Sequence, residues 1–353
     1  VRIASVGTAF PPHYYEQERL LAALETLWAA RHVNRDRLRR LHAKVLVGGR
    51  HLALPLEDYA RLGSWGEAND AWIRVAQEIG GTAIRQALAR AGIEGGELDL
   101  IISTSVTGIA TPSLDARLMN RLGLAPHARR LPLFGLGCVA GAAGIARAAD
   151  HVRAFPDHAA LLLSVELCSL TVQREDISIP NLIASGLFGD GAAAVVVLGE
   201  NHPRAAAAHG PSVVASRSVF YPNTEEVMGW RISERGFGIV LSAEVPVMVR
   251  RHLGGDIDTF LCEHGLKRSD IASWVCHPGG PKVLEAMADT LALPADALEL
   301  TWRSLREVGN LSSASVLLVL EATLRAARPA PGSWGMLLAM GPGFCSELVL
   351  LRF

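Results

Sequence analysis

Three side chains, far apart in the chain, have the types needed for acyl transfer: Cys138, His277 and Asn310. Cys138 stands in GLGCVAG (135–141), where an apolar extended run, LPLF, hands over to an alanine-rich segment. A thiol at the start of a helix meets unpaired backbone N–H groups and the positive end of the helix dipole, which favour thiolate over thiol. Its neighbours Gly137, Ala140 and Gly141 are small enough to let an acyl group approach. Taken alone, the cysteine is either a buried packing residue or a nucleophile. His277 closes a strand in VCHPGGP, at the strand end where α/β proteins place functional groups, although an isolated His-Pro turn also occurs without chemistry. Asn310 opens a helix in GNLSSAS. As a set they supply a nucleophile, a base or cation, and an amide donor for an oxyanion.

The elements that must position them alternate between strand and helix. DLIISTSV (99–106) and HAALLLSVEL (158–167) read as strands, PSLDARLMNRLGL (112–124) as a helix, and a further helix runs from about Val139 to Ala154. The second half replays this order with SWVCHPGG (273–280), the helix PKVLEAMADTLAL (281–293) and the apolar helix 310–327. Ile102 and Trp274 are 172 positions apart, and so are Cys138 and Asn310. The chain therefore reads as internally duplicated, with Cys138 and Asn310 at equivalent helix starts facing one another. The expected fold is layered α/β, built from an N-terminal half (1–205) that carries the cysteine and a C-terminal half (206–353) that carries the histidine and asparagine. NHPRAAAAHGPS links them, and a helical insertion at about 20–62 interrupts the first half.

Composition narrows the function classes. The 353 residues carry 34 basic and 35 acidic side chains, a net charge of −1, so no overall field draws the chain to nucleic acid or an anionic membrane. The start, VRIASVGTAFPP, lacks a basic segment leading into a long apolar one, and no long apolar run follows. A soluble, cytoplasmic protein is expected. Five cysteines without a CxxC pair argue against disulfides and a zinc site. The GDGAA turn at 189–193 lacks the pattern of a phosphate loop, and Asp190 reads as a turn-stabilising carboxylate.

GCVAG, LFGDGAAAVVV, HPGGP, GNLSSAS and GPGF, in that order, resemble the type III polyketide synthases, the chalcone synthase-like branch of the thiolase-fold condensing enzymes. The resemblance covers essentially the whole chain. It implies a duplicated thiolase-like αβαβα fold and a homodimer. Malonyl-CoA would extend an acyl-CoA starter, with no metal, redox cofactor or carrier protein. Cys138 matches the acylated nucleophile, His277 and Asn310 the decarboxylation and oxyanion pair, and Phe188 a gatekeeper between CoA tunnel and cavity. Ile239 stands where the family has a second gatekeeper phenylalanine. Val106, Thr111, Cys168, Thr171, Trp230, Ile239 and Ser312 match positions that line or border the cavity. Arg37, Arg40 and Lys44 fall where the family binds CoA phosphates. The mechanism implied is a Cys138 thiolate paired with a His277 imidazolium.

The wording TGIATPS and GCVAGAAG is similar to bacterial enzymes that make alkylpyrones or alkylresorcinols, so a medium- or long-chain fatty acyl-CoA starter is expected. Two alternatives stand beside this. One is a ketoacyl synthase III-like enzyme making a single condensation, although that group shows HQAN where HPGGP stands here. The other is a non-condensing thiolase-fold partner that only binds an acyl chain.

Overall fold

Ala159–Leu167 is buried at every residue, as a strand covered on both faces by helices must be. It sits inside a chain whose computed structural model describes residues 1–353. The first half starts with β1 (Arg2–Ala9), then an excursion of β2 (His13–Glu16), α1 (Gln17–Leu27), α2 (Arg35–Lys44) and β3 (Gly49–Leu52). It continues through α3 (Trp65–Ala91), β4 (Leu100–Thr104), α4 (Leu114–Leu122), β5 (Arg129–Leu133), α5 (Ala140–Ala154), β6 (Ala159–Leu167), α6 (Ile179–Leu187) and β7 (Asp190–Leu198). The second half opens with β8 (Ser212–Phe220), the hairpin β9 (Met228–Ser233) and β10 (Gly236–Leu241), and α7 (Val245–Met248). There follow α8 (Gly254–Glu263), β11 (Ile271–Cys276), α9 (Pro281–Leu291), α10 (Glu299–Val308), α11 (Ser315–Ala322), β12 (Trp334–Gly341) and β13 (Cys345–Arg352).

Sheet order carries the duplication. The first half runs β5-β4-β6-β7-β1 and the second β11-β12-β13-β8, so each ends on its own first strand. In each, one strand (β7 or β13) is antiparallel to both neighbours. The two halves meet where Arg2 of β1 pairs Ser212 of β8. Helices α3 and α8 end at Ala91 and Glu263, again 172 positions apart. One strand is not repeated: after α9, where β5 would recur, the chain forms α10 instead.

Alternation along the strands builds five layers. In β6, Leu161, Leu163 and Val165 face a core with α3, while Ala160 and Leu162 face a second core with α5 and α11. In β12, Leu337 and Ala339 join that central core, and Met336, Leu338 and Met340 face a third with α8 and α9. The layering is thus αβαβα, the thiolase-like arrangement. Small residues make the centre possible. A Cβ on Gly141 would lie 2.3 Å from the Ser313 carbonyl oxygen, so glycine alone lets α5 and the turn before α11 touch.

The excursion departs from a single helical insertion at 20–62. It begins at His13, pairs β2 with β3, and its helix breaks at His32, whose φ of 53° is left-handed. No helix is long and apolar enough to cross a membrane.

Candidate active site

A 3-10 turn, Gly137–Val139, precedes α5 and presents Cys138. Gly137 has φ 53°, and a Cβ there would meet the Pro342 ring at 2.7 Å, so glycine is required for the chain to pass. Asn310 precedes the equivalent turn, Ser312–Ala314, before α11. Its backbone is pinned to the end of α6: the Asn310 N–H donates to the Leu187 carbonyl at 2.9 Å and the Gly189 N–H donates to the Asn310 carbonyl at 3.0 Å. Its side chain is oriented too. The Ser312 N–H donates to Asn310 Oδ1 at 2.8 Å, which leaves the amide Nδ2 to face the site, with only a 3.5 Å contact to the Gly279 carbonyl. His277 follows β11 and is held by its N–H donating to Leu338 at 2.9 Å, yet neither ring nitrogen has a protein partner although the residue is 2% exposed.

Cys138, His277 and Asn310 line one apolar pocket together with Leu187, Phe188, Gly279 and Phe344. Its free space is about 20 Å³, room for one water and little else. Burial pushes the Cys138 thiol up to about 12 and the His277 imidazole down to about 3. A buried carboxyl, Glu166, adds to the upward shift of the thiol, whereas a hydrogen bond to Ser312 Oγ at 3.6 Å opposes it. Burial by itself thus favours a neutral thiol and a neutral imidazole, with the thiol donating to Ser312 Oγ. This differs from the thiolate-imidazolium pair read from the resemblance, because each charge alone would be desolvated. A proton passed from Sγ to the ring would create two opposite charges at once, each offsetting the other's burial cost.

Phe188 also lines a second, larger cavity of about 910 Å³, which Cys168, Thr171, Trp230 and Ile239 border. Phe188 is the residue shared by the two spaces. Cys168 does not lie on a strand: it opens a 3-10 turn after β6. Three further residues matched to the cavity by resemblance do not border this space within the single chain. Val106 is buried with its N–H donated to Glu166, Thr111 is exposed on a loop, and Ser312 sits against Cys138. Nothing in GNLSSAS shows that the Ser312 hydroxyl meets the thiol.

Arg37, Arg40 and Lys44 lie on the exposed face of α2 and border neither space. The opposite face of α2 buries Leu38 and His42, whose ring packs against Gly186 just before Phe188. At the mouth of the large cavity stand arginines the sequence did not single out. Arg31 and Arg235 both pair with Glu175, at 3.3 and 2.6 Å. Arg50 was missed as well: it is 4% exposed and donates from Nη1 to the Phe188 carbonyl at 2.7 Å. Asp190 begins β7 and braces no turn of its own; it accepts from the Ala53 N–H at 2.6 Å and the Ser169 N–H at 2.8 Å. No three His, Cys, Asp or Glu side chains converge as metal ligands would.

Comparison with known proteins agrees with this geometry. Residues 1–201 match the family profile "Chalcone and stilbene synthases, N-terminal domain" and residues 212–353 the corresponding C-terminal domain. The chain is 54% identical over 351 residues to a 1,3,6,8-tetrahydroxynaphthalene synthase of Streptomyces peucetius, covering 99% of this chain and 93% of that one. It is 32% identical over 349 residues to a phloroglucinol synthase of Pseudomonas fluorescens, covering 97% of this chain and 96% of that one. Among solved structures, the 1,3,6,8-tetrahydroxynaphthalene synthase of Streptomyces coelicolor, a bacterial type III polyketide synthase, superposes with a TM-score of 0.94 at 30% identity, covering 100% of this chain and 99% of that one.

Proposed function

Because the chain belongs to the chalcone and stilbene synthase family of type III polyketide synthases, which condense malonyl-CoA iteratively, we propose that malonyl-CoA here supplies the starter as well as the extender. The observation that carries the chemistry is the convergence of Cys138, His277 and Asn310 on one apolar pocket whose wall, Phe188, is shared with the large cavity. In this reading His277 takes the Cys138 proton, and the thiolate attacks the CoA thioester and expels CoA thiolate. The next malonyl-CoA loses CO2, and its enolate oxygen is received by the His277 ring N–H and Asn310 Nδ2. The enolate carbon attacks the acyl-Cys138 thioester and frees the cysteine. The lengthened chain, now on CoA, reloads Cys138 for another round.

The product names of the relatives favour malonyl priming over the fatty acyl starter and the alkylpyrone or alkylresorcinol product expected from sequence wording. In 1,3,6,8-tetrahydroxynaphthalene, oxygen sits on alternate carbons of a ten-carbon frame, interrupted only at a ring fusion. That is what five malonyl units leave once the starter's carboxyl carbon has also departed as CO2 and the chain has cyclised and dehydrated, with no foreign starter. The 54% identity to a named synthase, together with the intact trio, favours this over a single-condensation or a non-condensing role.

CoA thioesters are then the substrates, with no metal or redox cofactor, and the cytoplasm is where they are met. Arg37, Arg40 and Lys44 give the CoA phosphates an exposed basic face, while His42 beneath them packs toward Phe188. Exposed Ile109, Leu131 and Phe134, near Thr111 and the edge strand β5, favour a homodimer. The purified protein given malonyl-CoA alone should yield an oxygenated ten-carbon aromatic by mass spectrometry. No product without an added fatty acyl-CoA would overturn malonyl priming.

A further inference from the structure

We propose that Arg50 is a carboxylate-binding residue of the large cavity, holding the free carboxylate that a malonyl starter carries at the far end of the growing chain. This rests on the malonyl-primed reading above.

Buried charges in proteins are paired or hold a ligand, because an isolated ion loses its hydration for nothing in return. Arg50 is 4% exposed and forms no ion pair within the chain. Its guanidinium makes one hydrogen bond to protein, from Nη1 to the Phe188 carbonyl, and Nε has no partner. Asp190 acts on it through space but is otherwise engaged, by the N–H groups of Ala53 and Ser169 and by the Ser169 hydroxyl. Burial lowers Arg50 to about 10 and raises Asp190 to about 6, and the attraction between the two only partly offsets that desolvation.

The guanidinium's position suits a chain tail. Arg50 borders the large cavity with Cys168, Trp230 and Ile239, and it sits behind Phe188, which separates this space from Cys138. Its stem lies along Gly189 and Gly309, where added Cβ atoms would come within 3.4 and 3.2 Å of Cγ and Cδ. A fork fixed in this way presents planar N–H donors, the geometry that a carboxylate accepts. An acyl chain on Cys138 that passes Phe188 enters the space that Arg50 borders. A malonate-derived chain ends there in a carboxylate, whereas a fatty acyl chain ends in a methyl group.

Two measurements test this. In the wild-type protein, succinyl-CoA and butyryl-CoA compete with malonyl-CoA for acylation of Cys138, read by intact-protein mass spectrometry. The two are alike in length and differ in the terminal carboxylate. Succinyl-CoA should compete at least tenfold better, and equal or better competition by butyryl-CoA would overturn the proposal. In Arg50→Met, which keeps the stem and removes the charge, product formed from malonyl-CoA alone should fall at least tenfold relative to product formed with hexanoyl-CoA as starter. Arg50→Lys should restore part of that ratio. A parallel fall of both products would assign Arg50 to supporting the Phe188 segment and overturn carboxylate binding. A wild-type protein that makes nothing from malonyl-CoA alone would instead sink malonyl priming, and the succinyl-butyryl comparison would still decide on Arg50.

Discussion

Phe188 and Asn310 are bridge partners: the backbone hydrogen bonds on either side of Phe188 grip the two ends of the Asn310 peptide unit. The wall between the two cavities and the amide that faces the reacting pocket are therefore one rigid piece. The pairing runs through main chain, so it survives loss of the phenyl ring.

For this reason Phe188→Ala should separate two activities. Decarboxylation of malonyl-CoA, measured as CO2 release, should stay within a few-fold of wild type because Asn310 keeps its place. The product mixture should broaden, because the ring no longer divides the spaces. Loss of CO2 release in parallel with product would contradict the separation.

Cys138→Ala should form no acyl-enzyme and no polyketide. His277→Ala and Asn310→Ala should each slow decarboxylation by roughly 10²-fold or more, the usual cost of removing one oxyanion donor. Thermal melts close to wild type would show that the losses are chemical. A Cys138→Ala protein that still extends chains would refute the nucleophile assignment.

Acid stability should follow the buried histidines. Burial lowers His277 to about 3 and His42 to about 4, whereas an unfolded histidine titrates near ~6.5. Below ~6.5 the unfolded state takes up protons that the folded state refuses. The stability present above that pH is lost as pH falls, until each folded value is reached. Between roughly pH 6 and 4 each histidine adds up to about 1.4 kcal/mol per pH unit to this slope. Urea melts of His277→Leu should show a shallower fall over that range than wild type. An unchanged slope would mean that His277 is not desolvated in the folded state.

Reversing the charge of the α2 face, with Arg37→Glu, Arg40→Glu and Lys44→Glu combined, should raise KM for malonyl-CoA several-fold with kcat little changed. The effect should shrink as salt rises, because exposed charges are screened. These side chains are exposed and form no ion pairs, so the fold has little to lose. A KM that did not move would leave the phosphates to the arginines at the cavity mouth.

Much of this fold was legible because duplication leaves a spacing. The interval of 172 residues pointed to a repeat, and the sheets do repeat in the same order. The equivalent turns, however, begin at Gly137 and Ser312, 175 apart, so Asn310 stands before its helix as a bridge partner of Phe188 and does not open it. Helix α6 was not anticipated: IPNLIASGL is nine residues with proline, glycine and serine, and packing against α2 decides its state. The partner of the thiol was also hidden, since Ser312 and Ser313 are neighbours in sequence but one meets Cys138 and the other Glu166. Arg50 carries no local signal either. In VGGRHL it reads as a surface cation, and only the approach of the Phe188–Gly189 segment and Gly309 makes it a buried one.

The strand that the second half omits has a consequence for assembly. Where β5 would recur, α10 lies along the end of β11, and the Thr301 hydroxyl donates to the Cys276 carbonyl at 3.3 Å. At that margin α10 covers the Cys276 end of β11, while the other margin, β5, stays bare with Leu131 and Phe134 exposed. A sheet open at both margins offers a head and a tail, and copies could add without limit. If two copies meet along bare β5, that margin is used up in both, and pairing through it closes at two.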